Sequence, residues 1–295
     1  MDDLSSASAR YARRSEAAAA AGLSAVGAEP IRLAENDLWK LANDVVVCIS
    51  RPGQDDVAAR EVAVARWLAE NNVPAVRPVS RDQPVRARGR AATFWDLLPP
   101  HWEGTEAELA PLLRRMHQLS RPTFPIGQLQ PFVCITERLS AARCATEGDR
   151  TWLLSRLDEL NEQWSQLPPG LPHCVIHGDA WGGNCAVTDQ GALLLDFERT
   201  SIGPPEWDLT STAVAFDTFG TLSAIQYADY SEQYGYDVRD WAGYPILRGI
   251  RELRLVTFGM QTADQDPKAQ DQAQYRIDCV RGREGRRPWH WTAVG

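Results

Sequence analysis

The sequence predicts an α+β chain of two lobes, a small β-rich N-lobe over residues 1–97 and a larger, mostly helical C-lobe over residues 98–295. Three observations lead there. Short apolar runs bounded by turn residues crowd the chain before Leu98. The Pro99-Pro100 pair then interrupts that pattern. Beyond it, nearly every segment repeats its apolar residues at helical spacing.

After an Ala-rich start, IRLAENDLWKLANDVVVCIS reads as strands broken by turns, with Asn43-Asp44 as a hairpin signal between two apolar runs. QDDVAAREVAVARWLAENN has an acidic first turn and sets Val62, Ala65 and Leu68 at helical spacing, predicting a helix over residues 56–71. Residues 73–79 and 90–98 read as further strands, and a hinge falls at residues 96–100. In the C-lobe, GTEAELAPLLRRMHQLS is helical. GDRTWLLSRLDELNEQWSQL aligns Leu153, Leu157, Leu160, Trp164 and Leu167 in one stripe. EWDLTSTAVAFDTF, SAIQYADYSEQY and PILRGIRELRLVTFGM complete the helical set.

With 295 residues, 44% hydrophobic and 24% charged, the chain can bury a sizeable core. A formal net charge of −8 argues against a nucleic-acid or anionic-membrane surface. The six cysteines form no CxxC pair and no zinc spacing, so they read as reduced thiols. No segment has the length of a membrane span or the apolar core of a secretory signal, which points to a cytoplasmic protein, monomer or homodimer.

The chemistry concentrates in HGDAWGGNCAVTDQGALLLDFE, from His177 to Glu198. CAVT, DQG and ALLL read as strand, turn and strand. A three-residue loop centred on Gln190, with Gly191 left-handed, sets Thr188 opposite Ala192 and carries Asn184 opposite Asp196. A carboxamide beside a carboxylate suits Mg²⁺ completed by water and substrate phosphates. Asp179, five residues before Asn184, follows the apolar HCVI on a glycine-bounded loop, where a carboxylate can orient a hydroxyl and accept its proton.

HGDAWGGN has the spacing of the protein-kinase catalytic loop, and LLLDFE stands where that fold carries D-F-G. With GPPEWDL following, the segment resembles the aminoglycoside phosphotransferase and choline kinase branch of the protein-kinase-like fold. AREVAVARWL is similar to the N-lobe helix that supplies an ion-pair Glu, here Glu61. FWDLLPP resembles the hinge, whose backbone at Asp96, Leu97 and Leu98 would read the base of ATP or GTP. The resemblance implies that Asp179 is the catalytic carboxylate, Asn184 and Asp196 hold Mg²⁺, and His177 acts at or braces the loop. Asp208 then orders the loop. Trp181 and Trp207 belong either to the core or to the acceptor pocket, and Glu198, with Glu206 and Asp217, forms either an attraction for a cationic acceptor or a solvated rim.

The implied activity is transfer of a nucleotide γ-phosphoryl to a small hydroxylated molecule, an antibiotic or similar natural product. A metabolite kinase and an inactive kinase-like binding protein are the alternatives. Two departures are plain: AEND stands where protein kinases carry a glycine-rich loop, and Cys48 stands on VVVCIS where the resemblance expects a Lys or Arg for the α- and β-phosphates. If Asn43 centres a three-residue turn, Leu38 faces Cys48 and Lys40 faces Val46, so Lys40 shares the face of Cys48 and is the expected substitute. Arg51 falls on the opposite face.

Overall fold

The computed structural model describes residues 2–294. In chain order its elements are α1 (Asp2–Ala20), β1 (Glu29–Leu33), β2 (Asp37–Leu41), β3 (Val45–Ile49), α2 (Asp55–Glu70), β4 (Val85–Ala87), β5 (Arg90–Asp96) and β6 (Trp102–Glu103). There follow α3 (Glu106–His117), α4 (Ile135–Ala141), α5 (Glu147–Ser165), β7 (Cys174–Ile176), β8 (Cys185–Thr188), β9 (Gly191–Leu194) and β10 (Ser201–Gly203). The chain closes with α6 (Glu206–Val214), α7 (Ala224–Tyr234), α8 (Tyr244–Ala263) and α9 (Gln270–Val280).

Two compact units form. The first takes the chain up to Thr105 together with Leu119–Ile126 and Gly182–Thr200. Its main sheet is antiparallel, in the order β1-β2-β3-β5-β4. Alternation sorts the strands cleanly: Trp39, Leu41, Val45, Val47 and Ile49 are buried, whereas Leu38, Lys40, Val46 and Cys48 between them are only half-buried. The buried face packs on α1, whose Ala17 and Ala18 are small enough to approach Trp39 and Phe94 closely. The Ala-rich start is therefore a helix, as its propensity favours. Asp37, buried on β2, is held by Arg10 (3.3 Å) and Arg13 (3.5 Å) of that helix.

The helix expected over residues 56–71 is α2, one residue earlier. The strand expected over residues 73–79 is reduced to single bridges at Ala75 and Pro78, since Pro74 and Pro78 have no N–H for a ladder. The β8–β9 hairpin falls in the region assigned from sequence to the C-lobe, yet it packs with this first unit. Leu194 N–H donates to Pro74 O (3.1 Å), Val76 N–H to Leu194 O (3.0 Å), and Gly104 N–H to Cys185 O (2.7 Å).

The second unit takes Glu106–Gln118, Gly127–Trp181 and the chain from Ser201 onward. It is mostly helical around α8, which packs on α4, α5, α6 and α9 and buries Leu247, Ile250, Leu253, Val256 and Met260. The short antiparallel pair β7–β10 ends at the loop carrying His177 and Asp179. Among the described residues no helix is long and apolar enough to cross a membrane.

Candidate active site

A pocket of about 400 Å³ opens in the first unit and is lined by residues of that unit alone. Leu38, Val46 and Cys48 reach it from the sheet, Asp96, Leu97 and Leu98 from the end of β5, and Asn184 and Asp196 from the hairpin. The segment after β5 is pinned by its own backbone. Asp96 N–H donates to Arg77 O (2.9 Å) and Leu97 N–H to Asp44 O (2.7 Å), while no backbone acceptor takes the Leu98 N–H among the described residues.

The β2–β3 turn has the expected three residues, with Asn43 and Asp44 left-handed at φ 61° and 56°. Leu38 accordingly faces Cys48 and Lys40 faces Val46. Lys40 shares the face of Cys48, but it stands outside the lining of the pocket. Arg51 is committed elsewhere: its side chain pairs with Glu35 and its N–H donates to Asn36 Oδ1 (3.1 Å).

Burial, followed by the charges of Glu61 and Asp196, pushes the Cys48 thiol up to about 12, so it is neutral at physiological pH. Burial and then the charges of Asp196 and Glu198 likewise raise the Glu61 carboxyl to about 8. The ion pair expected at Glu61 does not form among the described residues, because the position across from it on β3 holds a thiol. Phe197 N–H and the Arg60 charge only partly offset the rise.

The hairpin differs from expectation by one residue. Asp189 and Gln190 alone connect its strands, so Thr188 faces Gly191 and Cys185 faces Leu194. Thr188 Oγ1 accepts from Gln190 N–H (3.1 Å) and donates to Gly191 O (3.1 Å), closing the shorter loop. Asn184 O therefore accepts from Leu195 N–H (2.9 Å), and Asn184 does not face Asp196 across the ladder. Both still line one pocket. Asp196 adopts a left-handed backbone at φ 58° just after β9, a conformation that Asp tolerates better than most residues. The loop before Asn184 needs glycine as well: a Cβ on Gly182 would lie 2.6 Å from Gly104 O.

A carboxamide oxygen and a carboxylate are hard donors suited to Mg²⁺. Among the described residues no three His, Cys, Asp or Glu side chains gather closely enough to hold a metal. An ion on Asn184 and Asp196 would take its other ligands from water and substrate.

In the second unit, Asp208 organises the loop after β7. It is fully buried and accepts from His177 N–H (2.7 Å), Gly178 N–H (2.8 Å) and His117 Nε2 (3.0 Å). Burial works to raise its pKa, but the hydrogen bond and charge of His117, the charge of His177 and the Gly178 N–H together hold it below the usual carboxylate range. His177 is itself fully buried, and it is its backbone N–H that meets Asp208. Asp208→Ala would strand two buried N–H groups and His117. We expect it to lower the free energy of urea unfolding by roughly 3–5 kcal/mol. A loss below about 1 kcal/mol would remove Asp208 as the loop's anchor.

Asp179 itself is partly exposed, with Arg251 of α8 beside it: Nη1 and Nη2 lie 3.4 and 3.5 Å from Asp179 Oδ1. Neither Arg251 nor His117 is flagged by any local motif, since each meets its carboxylate from a distant part of the chain. Trp181 is exposed, at 48%. Trp207, one of whose expected places was an acceptor wall, is in the core instead: its indole N–H donates to Gly178 O (3.1 Å), and Arg254 stacks on its ring at 5.4 Å.

The three acidic residues considered for a cationic acceptor fall in different surroundings. Glu198 lines the first-unit pocket with Cys48 and Asp196. Glu206 is fully buried, accepts from Leu171 N–H (2.6 Å), and is shifted upward by burial. Asp217 is neutralised by Arg239 (3.4 Å) and Arg248 (3.5 Å).

A family model described as the phosphotransferase enzyme family matches residues 27–249. No curated protein matches the sequence. Among solved structures, a choline/ethanolamine kinase family protein from Mesorhizobium loti is 18% identical, with a TM-score of 0.61 over 86% of this chain and 87% of its own. An aminoglycoside phosphotransferase from Streptomyces rimosus is 19% identical, with a TM-score of 0.57 over 85% and 98%. An amicoumacin kinase in complex with AMP-PNP, Ca²⁺ and Ami is 15% identical, with a TM-score of 0.63 over 86% and 88%. At these identities the likeness is one of fold, the protein-kinase-like one.

Proposed function

Because the chain belongs to the phosphotransferase enzyme family, we propose that it moves the γ-phosphoryl of ATP or GTP to a hydroxyl of a small molecule. The observation that supports this most directly is that Asn184 and Asp196 line one pocket with Asp96, Leu97 and Leu98. The Leu98 N–H, which meets no backbone acceptor among the described residues, is suited to a ring nitrogen of the base. Mg²⁺ held by Asn184 and Asp196 would neutralise charge on the β- and γ-oxygens. Asp179 orients the acceptor hydroxyl and accepts its proton as that oxygen bonds to the γ-phosphorus and the β–γ bridge to the departing diphosphate breaks. Positioning carries most of such a reaction, which is why few side chains are needed.

The acceptor class we favour is an antibiotic or similar hydroxylated natural product. The short span from Asp196 to Asp208 supports a small acceptor, since it leaves no room for a long peptide-binding segment. Arg251 beside Asp179 disfavours positive charge near the reacting hydroxyl. A neutral metabolite polyol fits that constraint as well, so a metabolite kinase is the second reading. The test is ATP and GTP consumption against hydroxylated antibiotics, sugars, choline and amino alcohols, with product mass reporting the added phosphate. Phosphorylation confined to protein substrates would refute the reading.

A further inference from the structure

Cys48 leaves β3 without a cation, although the pocket it lines also carries the carboxyl groups of Glu61, Asp96, Asp196 and Glu198. Among the described residues lining that pocket, Arg32 of β1 is the only arginine or lysine. Plain alternation would not put it there. Pro30 faces Trp39, so Ile31 should face Leu38, and Arg32 should face Asp37 on the side buried under α1. A bulge at Ile31 intervenes: the register resumes with Arg32 opposite Leu38 and Leu33 opposite Asp37. One extra residue thereby turns Arg32 to the other face of the sheet. Leu38 faces Cys48 in turn, so Arg32, Leu38 and Cys48 form one transverse row across three strands. Arg32 also acts against the acidic residues on the Cys48 thiol.

Resting on the nucleotide-dependent reading above, we propose that Arg32 grips the nucleotide's phosphates in place of the cation missing from β3. Its guanidinium enters no ion pair among the described residues, so it need not leave a partner to bind. The planar fork matches two phosphate oxygens at once. Lys40, the sequence-based choice, is on the right face but lies beyond the pocket lining.

Calorimetric titration of the full chain with Mg·ATP and with adenosine tests this, because adenosine lacks the phosphates that Arg32 would hold. Arg32→Ala is expected to weaken Mg·ATP about tenfold or more while leaving adenosine within roughly twofold. Arg32→Lys should retain part of the affinity, and adding Cys48→Lys to Arg32→Ala should recover part of it. Lys40→Ala should lose less than Arg32→Ala. Unchanged Mg·ATP affinity in Arg32→Ala, equal losses for ATP and adenosine, or the reverse ranking of the two cations would overturn the assignment while leaving the nucleotide-dependent reading intact. A wild-type chain that binds neither ligand would overturn that reading, and this inference with it.

Discussion

Asp179→Asn is expected to lower kcat by about 10²–10⁴-fold while Mg·nucleotide affinity changes less than about threefold. The substitution keeps the shape of the side chain and its contact with Arg251, but an amide cannot accept the hydroxyl proton. Asp179 belongs to the second unit, outside the pocket that Asn184 and Asp196 line, so the loss should fall on turnover and spare nucleotide binding. Steady-state kinetics paired with nucleotide titration separates these effects. Comparable turnover in the variant would remove Asp179 as the proton acceptor. A large loss of nucleotide affinity would move it to the metal site.

Asp196→Asn should abolish the tightening of nucleotide binding by Mg²⁺, a loss of about a hundredfold, or roughly 2.7 kcal/mol. Asparagine is the informative replacement here. Like aspartate it tolerates the left-handed backbone at φ 58°, whereas alanine would add strain of roughly 1–2 kcal/mol and confuse a folding defect with a metal defect. The same titrations with and without Mg²⁺, and with Ca²⁺ in its place, measure the effect. Nucleotide binding that is indifferent to divalent ions in the parent chain would show that Asn184 and Asp196 hold no metal.

The division into a sheet-rich and a helical part, the helix α2 and the β2–β3 register are legible in the residues alone. Each depends on interactions between near neighbours: strand alternation of period two, helical spacing near 3.6, and a turn whose Asn43 and Asp44 accept positive φ. The order of His177, Asp179, Asn184 and Asp196 is equally local, so the candidate segment stands out before any fold is known.

The local reading failed where two turn lengths compete. Asp189-Gln190-Gly191 suits a three-residue loop, but Thr188 closes a two-residue one with its hydroxyl. After that slip Asn184 no longer faces Asp196 across the ladder, although both line one pocket. Arg32 is hidden for a related reason. Pro30 suits an edge strand or a bulge, but it does not say where a residue is gained, and the register is fixed only when β1 pairs with β2. His117 and Arg251 reach their carboxylates from 91 and 72 residues away. Such meetings depend on which apolar faces are buried together, a property of the packed chain that no window of neighbouring residues contains. Residue order and local periodicity therefore settled the kind of fold and singled out the candidate segment, while tertiary packing decided which cations face the carboxylates, because burial selects strand register and helix placement together.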